Sequence, residues 1–203
     1  MEPLALILRP KKLDEVVGQQ HLIGENKILT NHMHVPLQAG SNDILKSMNR
    51  KYDLTYFKKK IEEIRKIRPE MSITTDIIVG FPGETDEFFK ETINTVKDIK
   101  FTKIHVFPYS KREGTVASEM KNQVDGIVKK TRVKALLSLS KELEQEYMNK
   151  YKNKIVQFIP EVYKDGYLIG HTENYLLIKA KGKKEDLNKT TTVKTKELNY
   201  PYL

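Results

Sequence analysis

The central part of the chain alternates between helical repeats and short apolar runs. In the segment DLTYFKKKIEEIRKIRP, the apolar residues Phe57, Ile61 and Ile64 recur at helical spacing, and Pro69 ends the pattern. The next run, MSITTDIIVGF, is β-branched and apolar on both faces, which is typical of a buried parallel strand. These two segments predict a helix followed by a strand.

The same alternation continues on both sides of this pair. Upstream, HMHVPLQAGS predicts a short strand, and NDILKSMNRKY predicts a helix with Ser41 or Asn42 as its N-cap. Downstream, ETDEFFKETINTVKDIK predicts a helix and FTKIHVFPYS a third strand. Three strands that alternate with helices predict an α/β fold with a parallel sheet or barrel.

The last third of the chain follows a different pattern. Residues 124–152 predict one long, highly charged helix, and from Lys154 the pattern changes to strands. We expect three of them, in KIVQFIPEVY, GYLIGHTENYLLIKAK and KTTTVKTKEL, which together form a small all-β module. The predicted organisation is a leader (1–30), an α/β unit (31–120), a connecting helix (121–152) and the β module (153–203).

Charge and composition favour an anionic partner. The chain of 203 residues has 36 Lys and Arg against 27 Asp and Glu, a formal net charge of +9. This balance favours nucleic acid as a partner, although a proteome that is basic on average would give the same charge. No signal peptide and no membrane-spanning run is evident, so we expect a cytoplasmic protein.

The chain contains no cysteine. This excludes disulfides, thiolate zinc sites, a cysteine nucleophile and an iron–sulfur cluster held by cysteines of this chain. His32 and His34 share one strand face but are too few to form a metal site by themselves. The sequence therefore assigns no metal ligand and no catalytic residue.

Candidate ligand contacts lie where the predicted strands end. Gly80 and Gly83 would let a ligand approach the backbone, and Glu84 could accept hydrogen bonds from a ligand or cap the following helix. Gln38 and Ser41 follow the first strand. After the third strand, Arg112 could bind a carboxylate or phosphate, or pair with a neighbouring glutamate.

Four blocks of sequence resemble consecutive blocks of one enzyme family. They are HMHVPLQAGSNDILKSMNRKY, ITTDIIVGFPGET, FTKIHVFPYSKREGTVASEM and NQVDGIVKKTRVKALLSLSKELE. In this order and spacing they resemble the radical S-adenosylmethionine tRNA methylthiotransferases, most closely the branch that acts on threonylcarbamoyladenosine beside the anticodon. The β module is similar to the family's TRAM domain, a small barrel that binds RNA.

The resemblance implies a fold, a cofactor and a partner. It implies the last three βα units of a six-stranded radical S-adenosylmethionine barrel followed by a TRAM barrel, with tRNA as partner. By resemblance, Gln38, Asp76, Gly80 and Tyr109 face S-adenosylmethionine. With the candidates above, the expected cofactor contacts are Gln38, Ser41, Asp76, Gly80, Gly83, Glu84, Tyr109 and Arg112. The expected RNA contacts are Lys154, Tyr163, Lys164, Tyr167, Tyr175, Lys179 and Lys181.

The chain departs from the family in lacking every cluster cysteine. Members hold a [4Fe–4S] cluster through cysteine thiolates, and its reducing electron cleaves S-adenosylmethionine. We therefore expect no cluster, weak or no S-adenosylmethionine binding, and no methylthiolation by this chain alone. A non-catalytic tRNA-binding module and a non-functional fusion product are the alternatives. We also expect self-association through the open edge of the half-barrel.

The first residues resemble a different family. The segment EPLALILRPKKLDEVVGQQHLIGENKIL is similar to the start of AAA+ ATPases of the replication-associated recombination (MgsA-like) family, but no phosphate-binding G-x-x-x-x-G-K-[ST] follows. We therefore expect a chimera with its join near Thr30 and Asn31.

Overall fold

The computed structural model describes residues 30–203 of the chain. The expected ATPase-like leader lies outside the described residues, except for Thr30. The elements in chain order are β1 (His32–His34), α1 (Asn42–Ser47), α2 (Leu54–Ile67), β2 (Ser72–Val79), α3 (Asp86–Ile99), β3 (Lys103–Pro108), α4 (Val116–Glu119), α5 (Gly126–Asn149), β4 (Ile155–Lys164), β5 (Tyr167–Thr172), β6 (Leu177–Lys181) and β7 (Thr191–Lys194).

The first three strands form a parallel sheet in the order β1-β2-β3. Its central strand, β2, is almost wholly buried, as its apolar and β-branched sequence predicts. Helices α2 and α3 begin where Asp53 and Thr85 accept hydrogen bonds from the backbone N–H groups of Tyr56 and Phe88. The predicted α/β unit with three parallel strands is confirmed.

Helix α5 covers part of the open edge of β3. The Ser140 hydroxyl accepts a hydrogen bond from the Ile104 N–H at 2.9 Å, and Lys103 pairs with Glu144 at 3.1 Å. Pro108 lies on the same edge, two positions after Val106. It has no N–H to donate to a further strand. The edge expected to mediate self-association is therefore protected along part of its length, and self-association stays a prediction.

The second sheet is antiparallel, in the order β6-β5-β4-β7. A register shift between Pro160 and Val162 marks a β-bulge in β4. The backbone of Leu203 pairs beside β6, where its N–H donates to the Leu177 carbonyl and its carbonyl accepts from the Lys179 N–H. The four strands agree with an all-β module, and closure into a TRAM barrel stays a prediction.

Helix α5 takes part in both hydrophobic cores. Leu136, Leu139 and Leu143 pack with the parallel sheet, whereas Tyr147 and Met148, one turn further on, pack with the β module. The connecting helix therefore supplies side chains to both units. Among residues 30–203, no helix combines the length and the apolar character needed to cross a membrane.

The structure differs from the sequence-based prediction at four places. The run GYLIGHTENYLLIKAK is a hairpin, β5 and β6, rather than one strand, because residues 173–176 form a turn. The first helix, predicted over residues 42–52, is only Asn42–Ser47, and the short helix α4 was missed. The third predicted strand of the module shortens to Thr191–Lys194.

Candidate cofactor and RNA site

A cavity of about 930 Å³ opens at the carboxyl ends of β2 and β3. We call it the strand-end cavity. Four residues expected to contact the cofactor line it, and they are Gln38, Asp76, Tyr109 and Arg112. Apolar side chains, among them Phe81, Phe107 and Met120, supply the rest of its wall. The carboxyl ends of parallel strands are the usual ligand-binding edge, and the volume suits a small molecule.

Gln38 is held in an uncommon backbone conformation at the cavity wall. Its φ is +73°, a region that residues other than glycine seldom adopt. Two backbone hydrogen bonds to β2 stabilise it, one from its N–H to the Asp76 carbonyl and one from the Ile78 N–H to its own carbonyl. Its side-chain oxygen accepts a hydrogen bond from Arg50 at 3.1 Å. Positions of this kind cluster at ligand sites.

Asp76 connects the cavity to the two histidines of β1. His34 Nε2 lies 3.2 Å from the Asp76 carboxylate, and both His32 and His34 lie within hydrogen-bond distance of the Thr74 hydroxyl. The ring of His34 also meets the ring of His105 edge-on, with centroids 5.7 Å apart. The β1 histidines are therefore engaged by Thr74 and Asp76.

Tyr109 has a polar atom without a partner at the cavity. Its hydroxyl is buried and forms no hydrogen bond with any other described residue. The ring packs edge-on against Phe81, with centroids 5.3 Å apart. A buried hydroxyl without a partner is costly unless a ligand or water completes it. The hydroxyl is enclosed by protein atoms, so a ligand in the cavity meets the ring of Tyr109.

Glu84 does not face the cavity. Its buried carboxylate accepts hydrogen bonds from the Gly80 N–H at 2.6 Å and from Arg132 Nη1 at 2.7 Å. Arg132, 5% exposed on α5, also binds Asp86 through Nη2 at 2.7 Å. Burial raises the pKa of Glu84, and the contacts to Gly80 and Arg132 oppose that shift. Glu84 thus ties the turn after β2 to α5.

Gly80 also meets α5. Its φ is +71°, and a Cβ at this position would lie 2.2 Å from Cγ of Lys129. The side chain of Lys129 occupies the space beside Gly80 where a ligand was predicted to approach the backbone. By contrast, Gly83 has φ +88° and open space around it, and Ser41 is fully buried at the N-cap of α1. None of these three residues lines the cavity.

Several expected RNA contacts lie side by side on the β module. Tyr167 pairs with Lys164 on β4 and with Lys181 on β6, so the three side chains form one row across the sheet. In the adjoining row, Lys179 lies with Nζ 4.7 Å from the centroid of the Tyr167 ring. Such a mixture of lysine and aromatic groups suits single-stranded RNA.

Tyr175 joins the two units instead of standing free. Its ring stacks on His32 of β1 and on His171 of β5, with centroids 4.6 Å apart in both cases. Asn31 adds a hydrogen bond across the same junction, to Glu173 at 2.7 Å. The two remaining expected RNA contacts are Tyr163, which is partly exposed, and Lys154, which lies over the Tyr151 ring at 5.1 Å.

The residues present do not fit an iron–sulfur cluster. The chain has no cysteine, and within residues 30–203 no group of three His, Asp or Glu side chains is arranged to hold a metal ion. The strand-end cavity, by contrast, offers the polar side chains of Gln38, Asp76 and Arg112 to a ligand.

Comparison with known proteins identifies sequence relatives of this chain. Residues 20–96 match the model of the radical SAM superfamily. The matched range begins before the join expected near Thr30. Threonylcarbamoyladenosine tRNA methylthiotransferase MtaB of Bacillus subtilis is 41% identical over 194 residues, which cover 93% of this chain and 42% of that protein. The tRNA-2-methylthio-N(6)-dimethylallyladenosine synthase of the same organism is 40% identical over 191 residues, covering 93% and 37%.

The chain is therefore homologous to tRNA methylthiotransferases, and it spans less than half the length of these two relatives. Among solved structures, the radical SAM enzyme coproporphyrinogen III oxidase (HemN) from Escherichia coli aligns with a TM-score of 0.47 and 19% identity, covering 56% of this chain and 27% of that one. A likeness at this level supports no conclusion.

Two residues that contact the turn after β2 were not predicted from the sequence. Arg132 and Lys129 of α5 hold the turn after β2, yet both looked like ordinary charges on a solvated helix. A signal for Arg132 existed, because it lies four residues before the buried Leu136 and continues the apolar stripe of α5. A charged residue in such a stripe indicates a buried partner.

Proposed function

We propose that residues 31–203 form the part of a tRNA methylthiotransferase that lines the S-adenosylmethionine pocket and binds tRNA. In this proposal the substrate is threonylcarbamoyladenosine next to the anticodon, and the residues are not catalytic by themselves. The observation that carries the proposal is the 41% identity to a threonylcarbamoyladenosine methylthiotransferase along 93% of the chain. The strand-end cavity supports the cofactor-binding part of the proposal. The absence of cysteine supports the part that says these residues are not catalytic by themselves.

Gln38, Asp76 and Tyr109 are the residues that would hold S-adenosylmethionine, the first two through polar groups at the cavity wall and Tyr109 through its ring. In full-length relatives the cofactor supplies a radical once a reduced cluster cleaves it. Because the cluster does not fit the residues present, no step of that reaction is assigned to this chain. Its residues bind and orient the cofactor, and they do so without the anchor that an open cluster iron provides.

Titration calorimetry with S-adenosylmethionine tests the cofactor half of the proposal. We expect binding weaker than about 1 mM, which corresponds to about −4 kcal/mol. The B. subtilis relative with its reconstituted cluster is the positive control. Binding by this chain as tight as by that control would contradict the proposed dependence on the cluster.

An activity assay tests the catalytic half. After anaerobic treatment with iron and sulfide, the chain is incubated with tRNA, S-adenosylmethionine and a reductant, and the digested nucleosides are analysed by mass spectrometry. We expect no bound iron and no methylthio product above the control without protein. Product formation would overturn the claim that these residues are inactive alone.

A non-catalytic tRNA-binding module is the second candidate, and the row of Lys164, Tyr167 and Lys181 favours it. The affinity of such a module for labelled tRNA falls steeply with salt, because phosphate contacts release counterions. Failure to bind tRNA even at low salt would exclude both this candidate and the tRNA-binding part of the first proposal.

Sequencing of the gene tests the third candidate, a non-functional fusion product. A long read of genomic DNA across the codons for Thr30 and Asn31 distinguishes a continuous coding sequence from two separate genes. A continuous read would support a true chimera. Divergence into an ATPase gene and a cysteine-bearing enzyme gene would show that the chimera does not exist.

A further inference from the structure

A groove runs between α5 and the segment that follows β3. Its volume is about 590 Å³. We call it the lysine groove, because four lysines and no acidic residue line it, and these are Lys111, Lys129, Lys130 and Lys134. Its apolar lining includes Pro108, Val133 and Leu137, of which Leu137 is 50% exposed.

The lysines of the groove carry charge that no neighbour neutralises. In the described part of the chain, none of the four forms an ion pair with a carboxylate, whereas Lys103 and Lys100 pair with Glu144 and Glu146 near the other end of α5. Lys129 is committed to the protein, because its Nζ donates to the Tyr109 carbonyl at 3.3 Å. The other three are exposed.

The distribution of charge along α5 is opposite to the one that stabilises a helix. Lysines occupy its first turns at Lys129, Lys130 and Lys134, and acids occupy its last turns at Glu142, Glu144 and Glu146. The helix dipole favours acids at the N-terminus and bases at the C-terminus. Lys129 is held by the Tyr109 carbonyl, whereas the side chains of Lys130 and Lys134 bond to no residue in the described part of the chain, which leaves them available to an anionic partner.

The lysine groove adjoins the strand-end cavity. Pro108, Tyr109 and Ser110 line both spaces. A polyanion bound to the lysines would therefore lie beside the segment that borders the cavity. Lysines together with an apolar lining suit a nucleic-acid strand, whose phosphates meet the ammonium groups while sugar and base edges cover the apolar residues.

We infer that the lysine groove binds a stretch of RNA backbone, with phosphates at Lys111, Lys130 and Lys134, and thereby brings a neighbouring nucleoside to the strand-end cavity. The groove is a second RNA contact, separate from the row of lysine and tyrosine residues on the β module. The identity of the RNA as tRNA rests on the proposed function, whereas the position of the contact rests on the groove.

The test compares two triple variants of the full chain that lose the same charge. The groove variant is Lys111→Ala, Lys130→Ala and Lys134→Ala. The matched control, Lys59→Ala, Lys90→Ala and Lys97→Ala, removes exposed lysines of α2 and α3 that line neither the groove nor the cavity. Thermal unfolding of both variants establishes that the fold is retained.

Binding of a labelled anticodon stem-loop RNA is measured between about 50 and 200 mM salt. Each lost phosphate contact lowers the slope of log affinity against log salt by about 0.7 for a single strand. We expect the groove variant to lose about 2 from the slope and at least about tenfold in affinity at the low-salt end, with the control close to wild type.

The outcomes separate this inference from the proposed function. Equal slopes for the groove variant and the control, with strong wild-type binding, would overturn the groove and leave the proposed function standing. Absence of RNA binding by the wild type would overturn both. If the groove variant keeps its RNA slope but loses binding to polyglutamate, the groove serves an acidic polypeptide and the inference is wrong.

Discussion

At the scale of single residues, the site depends on the buried pair of Glu84 and Arg132, to which the exposed Asp86 adds a second contact. It connects the turn after β2 to a helix that begins some way along the chain, through contacts of 2.7 Å. Replacing Arg132 by Ala leaves the buried Glu84 without its counterion. Breaking a buried pair from one side costs about 3–5 kcal/mol, so we expect a loss of this order in the free energy of unfolding.

Urea unfolding of the Arg132→Ala variant measures this loss. Lys130→Ala is the matched control, since it removes an exposed cation from the same helix. A midpoint for Arg132→Ala equal to that of the control would show that the pair contributes little, and that the turn after β2 is held by other contacts.

His32 makes stability depend on pH. Burial lowers its pKa, and the nearby His34 and His105 lower it further. Since an unfolded histidine has a pKa of about 6.5, the folded chain binds fewer protons than the unfolded chain just below that pH. The stability that neutral His32 contributes is complete above about pH 6.5 and is lost as pH falls through the folded pKa.

A phenylalanine at position 32 isolates this effect. The His32→Phe variant keeps a ring against Tyr175 but cannot titrate. Between about pH 7 and pH 5, we expect the free energy of unfolding to fall more steeply for the wild type than for the variant. Parallel curves for the two proteins would show that His32 has no part in the acid sensitivity.

At the scale of elements, the pairing of β4 with β5 depends on Gly170. A Cβ at this position would lie 1.9 Å from the Ile159 carbonyl oxygen, a backbone atom that cannot move without breaking the sheet. We expect Gly170→Ala to destabilise the β module by more than about 2 kcal/mol, in the range of overpacked cores. Chemical denaturation monitored by tyrosine fluorescence would report it.

Gly126→Ala provides the control for that prediction. Gly126 begins α5, and nothing lies within 4 Å of a Cβ placed there. Alanine has the higher helix propensity, so this variant should match or slightly exceed the wild type in stability. Equal stability of the two alanine variants would mean that β4 shifts at no cost to make room at Gly170.

The positions of helices and strands along the chain were largely predictable from sequence. The tertiary contacts between those elements were not. The alternation of apolar and polar residues located α2, β2, α3 and β3, because each period depends on residues a few positions apart. The turn that divides β5 from β6 is held partly by local bonds, in which the Thr172 hydroxyl binds Asn174 and the Leu176 N–H. It is also held by Asn174 Nδ2, which donates to the distant Tyr147 hydroxyl at 3.0 Å, a contact that a local pattern does not contain.

At the scale of the whole molecule, apolar side chains remain exposed around the strand-end cavity. Phe107 is 50% exposed and Val116 is 78% exposed, and both line the cavity. Exposed apolar surface of this kind favours association. We expect the chain to form dimers or larger species as its concentration rises, as measured by sedimentation equilibrium.

Two substitutions test whether the apolar surface at the cavity, rather than apolar surface elsewhere, drives association. Phe107→Glu should shift the chain toward the monomer. Ile127→Glu, at a site that is 76% exposed but lines neither the cavity nor the lysine groove, should leave association unchanged. A chain that stays monomeric at all concentrations would show that the exposed apolar side chains of the cavity do not drive association.

Sequence by itself determined the α/β alternation, the parallel strands, the family resemblance and the lack of cysteine ligands for a cluster, since all of these depend on composition or on neighbouring residues. Only the tertiary structure decided that Lys129 fills the space at Gly80, that Glu84 binds Arg132 of a distant helix, and that Tyr175 lies between two histidines. These contacts join residues far apart in the chain, and which of many surface charges and rings meet is decided by packing.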